Sequence, residues 1–144
     1  MDTSVISALF DDRNQARKHV TEGFFAIIDQ FNTYTSSITI SEIHDTPDEI
    51  KKRKMRNACN KFTILNLSPD VEALTRDYIA QGIFLDKYRN DAYHVAFAVI
   101  HEMDYLVSWN FKHLVKERTR KLVNVINAQN KYSSIFIVTP AEVS

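Results

Sequence analysis

Asp2, Glu42, Asp91 and Asn110 lie far apart in the chain, yet they carry the side-chain types that hold hard divalent cations. Carboxylates with one amide oxygen suit Mg2+ or Mn2+ and need neither thiolate nor imidazole. Any one of these acids, taken alone, reads as a helix cap or a solvated charge. Together they share a second property. Each sits at or just past a predicted strand, or at the head of the helix that follows one. In an open α/β sheet those places converge at the C-terminal edge of the strands, where such folds put their chemistry.

The elements that must position these residues are read from the period of the apolar side chains. Within residues 90–114, Ala92, Val95, Ala96, Val99, Ile100 and Met103 form one stripe at helical spacing. Tyr105, Leu106 and Val107 then read as a buried strand, and Ser108, Trp109 and Asn110 leave its C-terminal end. Asp91 at the helix head and Asn110 after the strand are therefore expected to be close in space. Residues 1–6 read as a short first strand with Asp2 near its start. Residues 34–40 read as a β-branched strand that delivers Ser41, Glu42 and Ile43 at its end. Residues 62–67 and 134–138 supply two more strands.

Helices fill the intervals. Ala16, Val20, Gly23, Phe24, Ile27, Ile28 and Phe31 mark one helical face. Thr46-Pro47-Asp48-Glu49 has the form of a capping box with Thr46 as N-cap, and Ser68-Pro69-Asp70 opens a helix with Val71, Leu74 and Tyr78 inward. Gly82 suits the C-cap of that helix. A last long helix is expected over about residues 117–130, with Leu122, Val125 and Ile126 inward. Alternating strands and helices with short connections predict an α/β fold. Its form is a three-layer α/β/α sandwich around a mostly parallel central sheet of about five strands.

Length and composition narrow the function classes. At 144 residues the chain fits a single domain over 1–144. Its formal charge is zero, so no global field draws it to nucleic acid or to a membrane surface. One cysteine, Cys59, excludes an internal disulfide framework and fits a reducing compartment. No stretch is long and apolar enough for a membrane span, and no signal peptide is evident, so a cytoplasmic protein is expected. Only Gly23 and Gly82 occur as glycines, which excludes a P-loop and a dinucleotide fingerprint. His101-Glu102 begins like a zinc-protease helix, but Tyr105 stands where the second histidine is needed. His94 and His101 read as packed or solvent-facing side chains. A phosphoryl-accepting receiver switch would need an acid after the third strand and a lysine before Pro140. Asn66-Leu67-Ser68 and Thr139 stand at those places instead.

Four blocks then match something specific: Asp2-Thr3-Ser4-Val5-Ile6-Ser7, Thr39-Ile40-Ser41-Glu42-Ile43, Asn90-Asp91-Ala92, and Leu106-Val107-Ser108-Trp109-Asn110-Phe111-Lys112-His113. In order and separation, over essentially the whole chain, they resemble the PIN-domain family, and within it the VapC-like toxin-type ribonucleases. The resemblance implies Mg2+- or Mn2+-dependent endonuclease activity on RNA, with metal-activated water attacking a phosphodiester. It also implies an antitoxin partner of a toxin-antitoxin system and a homodimer. By position, Asp2, Glu42 and Asp91 would be the metal acids and Ser4 would orient Asp2. Asn110 falls where the family commonly has a fourth acid, which weakens the case for a second metal. The family also places a few apolar residues ahead of the first acid, so the first strand looks short or truncated.

For RNA contact, Lys112 and His113 lie beside the expected site, and Trp109 could stack a base or pack at the rim. The run Lys51, Lys52, Arg53, Lys54 and Arg56 reads first as a solvated helix face. Phe25 and Ile79 are the apolar side chains considered for a dimer contact. The competing reading is a catalytically weak or inactive module of the same fold that binds RNA or a partner.

Overall fold

Short polar side chains decide where this backbone stops being extended. In the computed structural model, which describes residues 1–143, Asp2 is extended and its carboxylate accepts the N–H of Ser4. Helix α1 (Thr3–Ala8) therefore begins at once. After α2 (Gln15–Ala26), capped by Asn14, Ser36 repeats the device. It closes strand β1 (Tyr34–Ser36), accepts the Thr39 N–H and opens α3 (Ser37–His44). Both expected strands, over residues 1–6 and 34–40, are thus replaced largely by helix. A side-chain acceptor on an orphan N–H of the first turn stabilises a helix start by about 1 kcal/mol. The β-preference of a few isolated residues is weaker and depends on context. Glu42 consequently sits on a helix one turn and more beyond β1, not at a strand end.

The rest of the chain follows the same logic. Asp48, not Thr46, caps α4 (Glu49–Ala58), accepting from the N–H groups of Ile50 and Lys51. Strand β2 (Thr63–Leu65) is shorter than the stretch expected over 62–67. Ser68 and Pro69 open α5 (Pro69–Ala80) as expected. Its C-cap is Gln81, and Gly82 follows with φ 76°, a left-handed turn that favours glycine. Helix α6 (Arg89–Ile100) leads through a turn, with Glu102 at φ 57°, into β3 (Tyr105–Val107). Then come α7 (Glu117–Gln129), β4 (Phe136–Val138) and the short α8 (Pro140–Val143).

The architecture is mixed α/β. Strand β1 pairs in parallel with β2, and β3 in parallel with β4. These are two separate two-stranded sheets, where a continuous sheet of about five strands was expected. The residues ahead of α1 connect them. The α-amino group of Met1 donates to the Tyr34 carbonyl at 2.8 Å, and the Asp2 N–H donates to the Val107 carbonyl at 3.2 Å.

Apolar packing forms two clusters. The larger holds α5 and α6 together with Leu106, Val123 and Ile137. Helix α6 is buried at every position from Ala92 to Val99, not along a stripe alone, because it is enclosed on all sides. The smaller joins Val5, Ile6, Phe24, Ile28, Ile43, Met55 and Val107. Some inward assignments are corrected. Val125 is 51% exposed while Val123 is fully buried, so the stripe of α7 is rotated from the one expected. Tyr105 is 48% exposed although it lies in β3. The helical face read over residues 16–31 ends with α2 at Ala26, and Ala16, Gly23 and Phe31 are exposed. Phe25 packs on Phe24 and Phe62, and Ile79 packs against the larger cluster; both are half-buried. Among the described residues, no helix is long and apolar enough to cross a membrane.

Candidate active site

The site grows from the first helix cap. Asp2 is 3% exposed, and its oxygens are held from two directions. Oδ1 accepts the Ser4 hydroxyl at 2.6 Å and the Ser4 N–H at 3.2 Å. Oδ2 accepts the Ser108 hydroxyl at 2.6 Å. Each serine is oriented in turn by the backbone that leaves β3. The Trp109 N–H donates to Ser4 Oγ at 2.8 Å, and the Asn110 N–H donates to Ser108 Oγ at 2.9 Å. Two amides after β3 therefore reach the carboxylate through two hydroxyls. Charge-assisted O–H···O bonds of this length are among the stronger ones available to a side chain. Ser4 is placed as expected; Ser108 plays an equal part that the sequence reading missed.

Glu42 is fixed by neighbours on two other helices. Its Oε1 accepts from the Thr3 hydroxyl at 2.6 Å and pairs with His94 Nε2 at 2.9 Å, while Asn90 Nδ2 approaches Oε2 at 3.4 Å. The His94 side chain is 4% exposed and that of Glu42 31%. Burial alone would push Glu42 up, but the His94 hydrogen bond and charge, with Thr3 and Asn90, hold it below the ordinary carboxylate range. Burial alone would lower His94. The Glu42 hydrogen bond and the charges of Asp2, Glu42 and Asp91 raise it instead, which favours the imidazolium form.

Asp91 stands in the first turn of α6, where the helix dipole favours an acid. Its carboxyl is raised by burial, which the charges of His94 and His113 oppose and those of Asp2 and Glu42 reinforce. Asp2, Glu42 and Asp91 thus lie within electrostatic reach of one another around His94. Asn110 meets Asp91 as expected, its Nδ2 donating to Oδ1 at 3.2 Å. The amide is turned differently from the expectation of an oxygen ligand. Its Oδ1 accepts the His113 N–H at 2.9 Å, so the nitrogen faces the acid.

The donor set fits a hard divalent cation: carboxylate oxygens, partly buried, with one charge that burial disfavours. Among the described residues, no group of three acids, histidines or cysteines is already gathered around one point as ligands. Thr3 and His94 engage Glu42, Ser4 and Ser108 engage Asp2, and Asn110 engages Asp91. His94 is the principal member absent from the sequence reading. The signal was its position three residues after Asp91, which places both side chains on one face of a helix.

The expected substrate contacts are less gathered. Lys112 is exposed and lies two residues after Asn110. His113 stacks on Tyr88 with ring centroids 4.0 Å apart. Trp109 turns from the acids: its indole N–H donates to Thr21 Oγ1 at 2.9 Å, and Arg17 lies over its ring at 5.1 Å. That is a rim-packing role. The α4 run is tied locally, with Lys52 on Glu49 at 3.1 Å and Lys51 and Lys54 near Asp11 and Asp12. No family model matches the chain, and no curated protein or solved structure shows significant similarity to it.

Proposed function

We propose that the chain is a Mg2+- or Mn2+-dependent endoribonuclease of the PIN, VapC-like kind, with RNA as substrate. The observation that carries this reading is the gathering of Asp2 at the cap of α1, Glu42 near the end of α3 and Asp91 at the start of α6 around one buried histidine, which Glu42 bonds and whose pKa the charges of all three raise. Three acids drawn together from positions 2, 42 and 91 are costly to fold unless a cation offsets their charge. In the same reading, β2, β1, the Met1–Asp2 segment, β3 and β4 form one interrupted parallel sheet within a three-layer sandwich.

A divalent cation held by Asp2, Glu42 and Asp91 supplies, when bound, the positive charge that admits a phosphodiester anion and the polarisation that acidifies water. The chain's own residues prepare that place. Ser4 and Ser108 fix the Asp2 carboxylate. Thr3 and His94 fix Glu42, and the raised pKa of His94 favours the imidazolium, whose charge tempers repulsion among the acids. Loading requires Asp91 and Glu42 to exchange present partners for the cation. Lys112, exposed beside Asn110, supplies a phosphate contact whose strength falls with salt.

A second reading, a binding module without turnover, is favoured by one observation. Asn110 directs a donor, not an oxygen, at Asp91. Cleavage of mixed single-stranded RNA with Mn2+, against EDTA and against Asp91→Asn, separates the two. Metal-dependent cleavage lost in the mutant supports the nuclease; RNA retention without cleavage under any metal supports the module. A homodimer and an antitoxin partner belong to the same proposal. Sedimentation of the purified chain and co-purification with a neighbouring gene product test them.

A further inference from the structure

Around the start of α2 stand three cations, Arg13, Arg17 and Lys18, and two of them are paired. Asp11 takes Arg13 at 2.9 Å, and Asp12 takes Lys18 at 2.7 Å. Among the described residues, no carboxylate pairs with Arg17 and no hydrogen bond occupies its guanidinium. The group rests instead on two rings, 5.1 Å from the centre of Trp109 and 5.7 Å from that of Phe111. Both distances fall in the range of a cation–π contact. The indole is locked to the helix that carries the guanidinium. Its N–H donates to Thr21 Oγ1 at 2.9 Å, and that buried hydroxyl donates to the Arg17 carbonyl at 2.7 Å. Trp109 and Phe111 flank Asn110, whose side chain turns the other way, to Asp91. The cation and the acids therefore stand on two sides of one short turn.

We propose that Arg17 binds a backbone phosphate of RNA, next to the phosphate presented to the acids. The ligand is that of the ribonuclease reading, on which this inference rests. A guanidinium is planar and weakly hydrated, and its N–H fork matches two phosphate oxygens at once. Stacking on rings holds the plane and leaves that edge free. A side chain so held before the ligand arrives loses less rotamer freedom on binding. Phe111 is 49% exposed, so the platform is open to solvent, and exposed Lys112 follows it with a second positive charge. Packing on Trp109 would be served by any long side chain, whereas unclaimed N–H groups suit an anion from outside. The rim position of Trp109 thus acquires a use: it carries the arginine.

The test is fluorescence anisotropy of a labelled single-stranded RNA in EDTA, from about 50 to about 200 mM salt. Arg17→Gln is expected to weaken binding about tenfold. It should also lower the slope of log affinity against log salt by about 0.7, the share of one phosphate contact on a single strand. Arg17→Lys should keep the slope yet lose affinity, because an ammonium keeps the charge and not the fork. With Mn2+, Arg17→Gln should raise the half-saturating RNA concentration by the same factor and leave the saturated rate within about twofold. Lys121→Gln, at an exposed lysine on α7, is the control and should leave the slope unchanged. An unchanged slope in folded Arg17→Gln overturns the proposal, as does an equal fall in Lys121→Gln or a wild type that binds no RNA. RNA bound with an Arg17-dependent slope but never cleaved would remove the ribonuclease reading and leave this contact standing. Cleavage lost in Asp91→Asn but indifferent to Arg17 would do the reverse.

Discussion

The two ends of the seam between β1 and β3 are finished with different chemistry. At the C-terminal end β1 and the Met1–Asp2 segment turn into helices at once, β3 runs into a turn over 108–116, and side-chain oxygens take over where ladder bonds stop. Asp2 receives Ser4 and Ser108, which in turn receive the amides of Trp109 and Asn110. At the N-terminal end Phe24, Phe31, Leu65, Phe97 and Leu106 line a cavity of about 440 Å³, together with Tyr34, Tyr105 and Val107. One end is a hydrogen-bonded polar network that concentrates charge; the other is a cavity lined largely by aromatic and aliphatic side chains. His94 is common to both, since it lines the cavity and pairs with Glu42 at 2.9 Å.

If the two ends are energetically separate, they can be broken separately. Phe97 is 2% exposed and belongs to the apolar end, so Phe97→Ala should cost about 3–4 kcal/mol in urea unfolding. Mn2+ affinity, measured by calorimetry on the folded mutant, should be unchanged; a parallel loss would show that the ends are coupled. Asn110→Asp acts on the acid end alone. It replaces a donor to Asp91 by a like charge, and should lower metal-free stability by about 1 kcal/mol. It should also tighten Mn2+ binding by roughly tenfold. Unchanged Mn2+ affinity would remove Asn110 from the site.

The smallest effect expected is in pH dependence. A raised His94 contributes stability that is fully present below its unfolded pKa, near 6.5, and is lost as pH rises through its folded value. Asp91, also raised, acts in the same sense from its unfolded value near 3.8 upward. Glu42, held low, contributes above 4.5 and loses that contribution as pH falls. The His94 contribution to metal-free stability should therefore decline as pH rises above 6.5, against the opposite contribution of the lowered Met1 α-amino group, and His94→Gln should remove that declining part. A slope that His94→Gln leaves intact would place its origin outside the acid end.

Part of this arrangement was legible in the residues themselves. Asp91 and Asn110 were readable as neighbours because a buried helix, β3 and a polar turn follow one another with clear punctuation. Ser68-Pro69 announced α5 by its cap. Residues 1–6 and 34–40 misled, because Val5, Ile6, Thr35, Ile38 and Ile40 carry strand propensity while the deciding atoms are single oxygens on Asp2 and Ser36. A cap acts through one bond at one position, and composition over a window averages it away. His94 was obscured by its seven-residue spacing to His101, which reads as ordinary helix packing. Its tie to Glu42 spans 52 residues and arises only when α3 and α6 meet.

The central claim is that Asp2, Glu42 and Asp91 form a cation-dependent hydrolytic site. Single-turnover cleavage of labelled RNA by the wild-type chain and by Asp91→Asn, each with Mn2+ and with EDTA and each verified as folded by circular dichroism, tests it most directly. The account predicts cleavage by wild type with Mn2+ alone, and a loss on the order of 100-fold or more in the mutant. Equal cleavage in EDTA, or undiminished cleavage by Asp91→Asn, would contradict it.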